Sequence, residues 1–185
     1  MVRAWKDEVL SPEGKIEVQL TGQKLKQYGP QSIASSDFMR DTETAHILST
    51  MLGVSDKSTD FDIRTWDVGV YAGRPESEVA PSINRLYEAT WEVPPGSSES
   101  FSQFADRWLK YLDRAMDYVC NTGQGPAIIV THGRNIAVVD SYINMKRELD
   151  GETPNPAGCA YLSIADDHSL QLTIDPPKES VKLDV

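Results

Sequence analysis

Two residues in this chain have the type and the setting to hold an anion. His132 follows the oily run Ala127-Ile128-Ile129-Val130 and precedes Gly133-Arg134, where a second apolar pattern begins. It sits at the expected C-terminal end of a buried strand, just before a helix N-terminus. Open α/β sheets bind ligands at that edge. Helix N-termini offer free N–H groups and the positive end of a dipole, both suited to phosphate, though a histidine there can equally serve only to pack or cap. Arg40 occupies a matching place in "IASSDFMRDTETAHIL", residues 33–48, in the first turn of an expected helix. An arginine there works against the helix dipole, so it either pairs with Asp37 or Asp41 or aims its guanidinium fork at a bound anion.

The elements that would carry these residues can be read in outline. Residues 32–35 end a strand, and Ser36-Asp37 offers a helix N-cap. Phe38, Thr42, Ala45, Leu48, Met51 and Leu52 recur at helical spacing up to Gly53. Residues 55–62 are polar and loop-like. Residues 63–97 show no clean period and form an expected excursion, with a short helix near 81–89. Ser100 and Gln103 form a capping-box pair. After them Phe101, Ala105, Trp108, Leu112, Ala115, Met116 and Val119 make one apolar stripe. A strand over 127–131 and a helix from Arg134 follow. Residues 159–164 and 170–174 read as two strands joined by "ADDHS". This alternation predicts a three-layer α/β/α sandwich with a mostly parallel sheet.

The whole chain of 185 residues reads as one domain, with 54–100 as a substrate-side excursion and 176–185 as a tail. Its net charge of -10 argues against a nucleic-acid surface but leaves room for a local cationic pocket. No run is long and apolar enough for a membrane span, and the N-terminus does not read as a signal peptide. Two cysteines, Cys120 and Cys159, make no disulfide framework, so a cytoplasmic setting is expected. There is no H-x-H or Cys/His cluster, and neither a metal nor a cofactor is expected. C-x5-R, G-x-G-x-x-G and G-x-S-x-G are all missing. His46, in the first helix, and His168, in a late turn, read as structural or solvated.

Taken together, several segments resemble the histidine phosphatase superfamily, also called phosphoglycerate mutase-like. "SSDFMRDTETA" is similar to that family's S-S-D-x-x-R-x-x-x-T-A, and "IIVTHG" to its second histidine motif. "WDVGVYAG" resembles the segment that carries the acid. "PPGSSESFSQFADRW" resembles P-x-G-E-S-x-x-x-F-x-x-R. "LTGQKLKQ" partly matches L-T-x-x-G-x-x-Q through Leu20, Thr21 and Gln27.

The resemblance implies a small phosphorylated substrate and a histidine nucleophile in an R-H motif at the end of the first strand. It implies a second histidine and two arginines on the phosphoryl oxygens, and an acid for the leaving group. Arg40 and His132 map to phosphate-holding roles, with Gly133 and Arg134 beside them. The R-H motif maps to Arg3-Ala4, which puts alanine in the nucleophile's seat. Three accounts stand: an engineered His-to-Ala change, a natural phospho-ligand binder, or a different N-terminal register. Thr65 stands where the acid is usual, so Asp67 is the candidate acid, read equally as a turn-forming aspartate beside Trp66, with Glu99 a weaker candidate or a brace for the following helix. Lys6 and Arg74 are possible rim cations. Phosphatase chemistry is favoured over mutase transfer because the chain is short.

Overall fold

The computed structural model describes residue 2 and residues 4–144, 158–164 and 170–174. Its centre is a three-stranded parallel sheet in the order β2-β1-β3, made of β1 (Ser32–Ser35), β2 (Asp56–Thr59) and β3 (Ala127–Val130). Ser35 pairs with Thr59 on one side and Val130 on the other, so all three strands end level at one edge.

Alternation along the strands sends side chains to two faces. Ile33, Ile128 and Val130 pack on one face with Val18, Ala45, Leu48 and Val54. That layer is built from α1 (Pro12–Leu25) and α2 (Met39–Leu52). Ala34 and Ile129 turn to the other face and a larger core around Trp66, Phe104 and Trp108. It is covered by α3 (Glu76–Glu88), α4 (Phe101–Thr122) and α5 (Gly133–Ile143). The α/β fold with a parallel sheet between helices is thus present. Next to it, β4 (Ala160–Ile164) and β5 (Leu170–Ile174) form the expected antiparallel hairpin. The turn "ADDHS", His168 included, lies outside the described residues, as do the tail and Arg3.

Four local readings need correction. The N-cap of α2 is Phe38, not Ser36-Asp37. Ser36 is folded back into the interior, and the carboxylate of Asp7 accepts from Met39 N at 2.7 Å instead. An acid brought from a distant loop does the capping. The polar stretch 55–62 contains β2, whose four residues are all exposed, so hydrophobic periodicity has nothing to report there. The helix in the excursion starts at Glu76 and carries Pro81 inside it. The strand expected over 127–131 stops at Val130.

Helix α1 lies in a stretch where the sequence suggests no element, because its apolar residues do not share one face. Ile16 and Leu20 are 58% and 51% exposed, while Val18 is buried. Its start is marked by chemistry rather than by a stripe: Ser11 accepts from Gly14 N and Pro12 opens the helix. Leu20 and Thr21 therefore lie in mid-helix. Val2 belongs to no strand; it exchanges backbone bonds with Gly73 and Arg74.

Helix α4 stands as expected. Ser100 and Gln103 cap it reciprocally, and Gly123 closes it in the left-handed conformation. Phe104, absent from the expected stripe, is its most completely buried side chain.

Candidate functional site

The candidate site lies where β1 and β3 end side by side. Beyond Ser35 the chain turns through Ser36, Asp37 and Phe38 into α2, which places Arg40 and Asp41 in its first turn. Beyond Val130 it passes through Thr131 to His132, the N-cap of α5. The fold brings the two junctions together around one aromatic ring. The Arg40 guanidinium lies 4.5 Å from the centre of the Phe38 ring. The His132 imidazole meets the same ring edge-on at 5.8 Å.

Beneath them is Asp41, a carboxylate only 5% exposed. Ser36 Oγ donates to its Oδ2. The same oxygen lies 2.9 Å from His132 Nε2. That nitrogen is buried and lacks a hydrogen-bond partner in line, so the contact is one of charge and proximity rather than an aligned N–H···O bond. In the sequence Asp41 is legible only as a possible partner for Arg40; its partner is His132. The available signal is an acid on the same helix face as Phe38, Ala45 and Leu48, and it needs the second junction to give it meaning.

Arg40 is not paired with either nearby aspartate. Its two terminal nitrogens donate to the carbonyls of Lys6 at 2.8 Å and Ala4 at 3.0 Å. Ala4 is buried and takes a φ of +35°, a conformation that favours glycine. Asp37 instead receives a two-pronged bond from Arg64, both contacts at 2.6 Å. The side-chain bonds from Arg64 hold the Asp37 carboxyl below its ordinary range, and the same bonds raise Arg64. Arg64 also lies 4.7 Å from the ring centres of Trp5, Phe38 and Phe61, a cation–π cluster that closes one flank of the site.

Gly133 is the exposed first residue of α5, and no side chain caps that helix end. Arg134 Nε donates to the Tyr87 hydroxyl at 2.7 Å. Its guanidinium stands 5.9 Å from the Trp66 ring centre. Asn135, fully buried, anchors the first turn by donating to the carbonyl of Ile63 at 3.1 Å.

The acid candidates sit in a separate wall. Asp67 is buried; its Oδ1 accepts from Gly69 N at 2.9 Å, the bonding of a turn-forming aspartate. Glu99 makes a two-pronged pair with Arg107, at 2.8 and 3.0 Å, and accepts from Asp67 N. Its carboxylate braces α4 against the wall. Thr65 is buried, and its carbonyl accepts from the Trp5 indole. Lys6 pairs with Glu8, and Arg74 with Glu78, both at the surface. Among the described residues no group of three or more His, Cys, Asp or Glu could hold a metal, and no helix is long and apolar enough to cross a membrane.

Comparison with known proteins gives the family and the fold. The family model of the histidine phosphatase superfamily, branch 1, matches residues 1–166. A phosphoglycerate mutase-like protein of Arabidopsis thaliana, number 4 of its series, is 31% identical over 137 residues, which cover 69% of this chain. The match spans only about half, 56%, of that relative's length.

Among solved structures, a mycobacterial glucosyl-3-phosphoglycerate phosphatase in complex with inorganic phosphate superposes with a TM-score of 0.77 at 20% identity, covering 97% of this chain and 91% of that one. A phosphoglycerate mutase from Bacillus anthracis gives 0.77 at 17% identity, over 94% and 84%. At these identities the structures speak for the fold alone, and that fold is phosphoglycerate mutase-like. By its sequence match over nearly the whole length, this chain belongs to the histidine phosphatase superfamily.

Proposed function

We propose that this chain holds the phosphoryl group of a small phosphorylated substrate at the level end of β1 and β3, and that its chemistry is phosphomonoester hydrolysis. The observation that carries this reading is that Arg40 and His132 both contact the Phe38 ring. They come from distant parts of the chain, and both stand at strand-to-helix junctions, where backbone N–H groups favour an anion. In the reaction a histidine nitrogen attacks phosphorus while the ester P–O bond breaks. The leaving oxygen takes a proton from an acid, here assigned to Asp67. Water then cleaves the P–N bond and releases inorganic phosphate. Splitting the displacement in two lowers each barrier, and fixed cations stabilise the equatorial oxygens. Arg3, Arg40 and His132 take that second role, with Gly133 and Arg134 at the rim.

In this reading position 4 is the nucleophile's seat, and alanine there leaves the chain severely impaired, since a methyl group cannot attack phosphorus. Loss of a nucleophile costs roughly a millionfold in other covalent mechanisms.

One observation favours a second reading. The first register counts back from Leu20-Thr21, which lie within α1. Leu10, Ser11 and Gly14 meet the L-T-x-x-G part of the family pattern with serine in the threonine's place, and Ser11 caps the same helix. In that register position 4 is not the nucleophile's seat, and the segment around it serves as pocket wall, with its carbonyls on Arg40.

Hydrolysis of para-nitrophenyl phosphate by the chain and by its Ala4→His variant tests both. Turnover by the variant alone supports the first register. Turnover by neither, with orthovanadate still bound by both, supports the second, or a phospho-ligand binder. Turnover by the unmodified chain overturns the assignment of position 4. Conversion of one phosphoglycerate isomer to the other without phosphate release would replace hydrolysis with mutase-type transfer.

A further inference from the structure

We infer that Asp41 is the positioning residue of His132: it takes up Nε2 and so leaves Nδ1 as the nitrogen that meets a ligand oxygen. The inference rests on the reading of His132 as a phosphoryl-holding group.

The geometry assigns the two ring nitrogens different surroundings. Nε2 is buried and faces Asp41 Oδ2 at 2.9 Å. The ring as a whole is not sealed, because the His132 side chain keeps 12% of its exposure. A buried carboxylate needs partners, and this one has three sources of stabilisation. It stands in the first turn of α2, where the helix dipole favours an acid. It accepts from Ser36 Oγ, and it faces the imidazole. Ser36, fully buried, is itself tied to the backbone by the N–H of Phe38, at 3.3 Å. The acid is therefore held from below and cannot swing out to meet the ligand.

His132 experiences an opposing field. As N-cap of α5 it stands at the positive end of that helix, and Arg40 and Arg64 share the Phe38 ring beside it. An imidazole surrounded by positive potential would turn its N–H groups away without a nearby acid. Asp41 supplies the negative charge that keeps the ring in place and presents the far nitrogen to the pocket. Ring nitrogens are distinct in function, and the partner of one sets the role of the other.

The test uses the full chain and orthovanadate. Only three histidines are present, so ring signals in a two-bond 1H–15N correlation spectrum can be assigned with His46→Gln and His168→Gln variants. Asp41→Asn is expected to shift the His132 Nε2 signal while leaving His46 and His168 in place. Orthovanadate added to the unmodified chain is expected to move Nδ1 of His132. Affinity for orthovanadate should fall about ten-fold in Asp41→Asn, the scale of one charge-assisted contact. In the double variant with His132→Gln, no loss beyond that of His132→Gln alone is expected, because Asp41 acts through the ring.

An unmoved Nε2 signal in Asp41→Asn, or losses that simply add in the double variant, would overturn the inference. If Asp41→Asn does not fold, Ser36→Ala removes the supporting hydroxyl and should shift the same signal less. Should orthovanadate fail to bind the unmodified chain while Asp41→Asn still moves Nε2, the phosphoryl reading fails and the Asp41–His132 pairing stands.

Discussion

Two regions of this molecule treat buried polar groups in opposite ways. In the wall made by residues 61–69 and 97–107, the polar groups close on one another. Arg107 satisfies Glu99 and also donates to the carbonyls of Phe61, Asp62 and Arg64. Ser97 Oγ bonds the carbonyls of Asp67 and Glu99. At the level strand ends the bonding is left open. The buried side-chain atoms without a hydrogen-bond partner, among the described residues, are Ser35 Oγ, His132 Nε2 and Asn135 Oδ1. All three belong to the last residue of β1 or to the start of α5. Of these, His132 Nε2 faces Asp41 Oδ2 at 2.9 Å without an aligned bond, so the edge is held by charge and proximity where the wall is held by aligned hydrogen bonds. The comparison separates two kinds of arginine: Arg107 belongs to the frame, and Arg40, held by carbonyls of a neighbouring segment, to the candidate site.

Changes in the wall should therefore lower stability, and changes at the edge should lower anion binding. The largest effect is expected at Gly69. Its φ is +55°, and an added Cβ would stand 2.1 Å from the Pro95 carbonyl oxygen. Gly69→Ala should cost about 3 kcal/mol or more in urea unfolding. Arg107→Ala comes next, because both partners of its pair keep only 12% side-chain exposure and Glu99 would be left buried alone. A loss of about 3 kcal/mol is expected in the same measurement.

His132→Gln should behave differently. Orthovanadate affinity, measured by calorimetry, should drop at least about ten-fold, while the urea midpoint moves far less than in Arg107→Ala. Equal loss of stability in the two variants would break the comparison. Ser100→Ala removes one half of the α4 capping box and should cost about 1 kcal/mol by thermal unfolding.

The smallest effect is that of the Asp37–Arg64 pair, which lies at the margin between the two regions. Asp37 has a lowered folded-state pKa, so the folded protein binds fewer protons there than the unfolded chain does. Its contribution is complete above the ordinary carboxylate range and is lost as pH falls through that range and below it. Side-chain exposures of 21% and 42% limit the amount to about 0.5 kcal/mol. Arg64→Gln should therefore flatten the acid side of the stability profile slightly, and a second profile at high salt should show less difference still.

Where local chemistry is self-contained, the residues themselves display it. The capping box at Ser100 and Gln103, the stop at Gly53 and the strand into His132 all depend on neighbours within a few residues. Two junctions of matching form are visible in the sequence too, as is their resemblance to one family. Legibility ends where a partner comes from afar. Ser36 and Asp37 have the types of a helix cap, yet Asp7 does that work from another loop. β2 has no apolar alternation because its side chains are exposed, and only pairing with β1 makes it a strand. Asp67 and Glu99 both offer a carboxylate, and their bonds give one a turn and the other an arginine.

By itself, then, the sequence determined the alternating α/β order, the capped helix α4 and the residue types offered at each strand end. Such features follow from backbone geometry and short-range hydrogen bonding, which a few adjacent residues specify. The tertiary structure alone decided that Arg40 and His132 share one ring, that a buried Asp41 stands against the imidazole, and that Arg107 belongs to the frame. Those facts depend on how far-separated segments pack against the sheet, and a packed neighbour leaves no trace in the residues on either side of it.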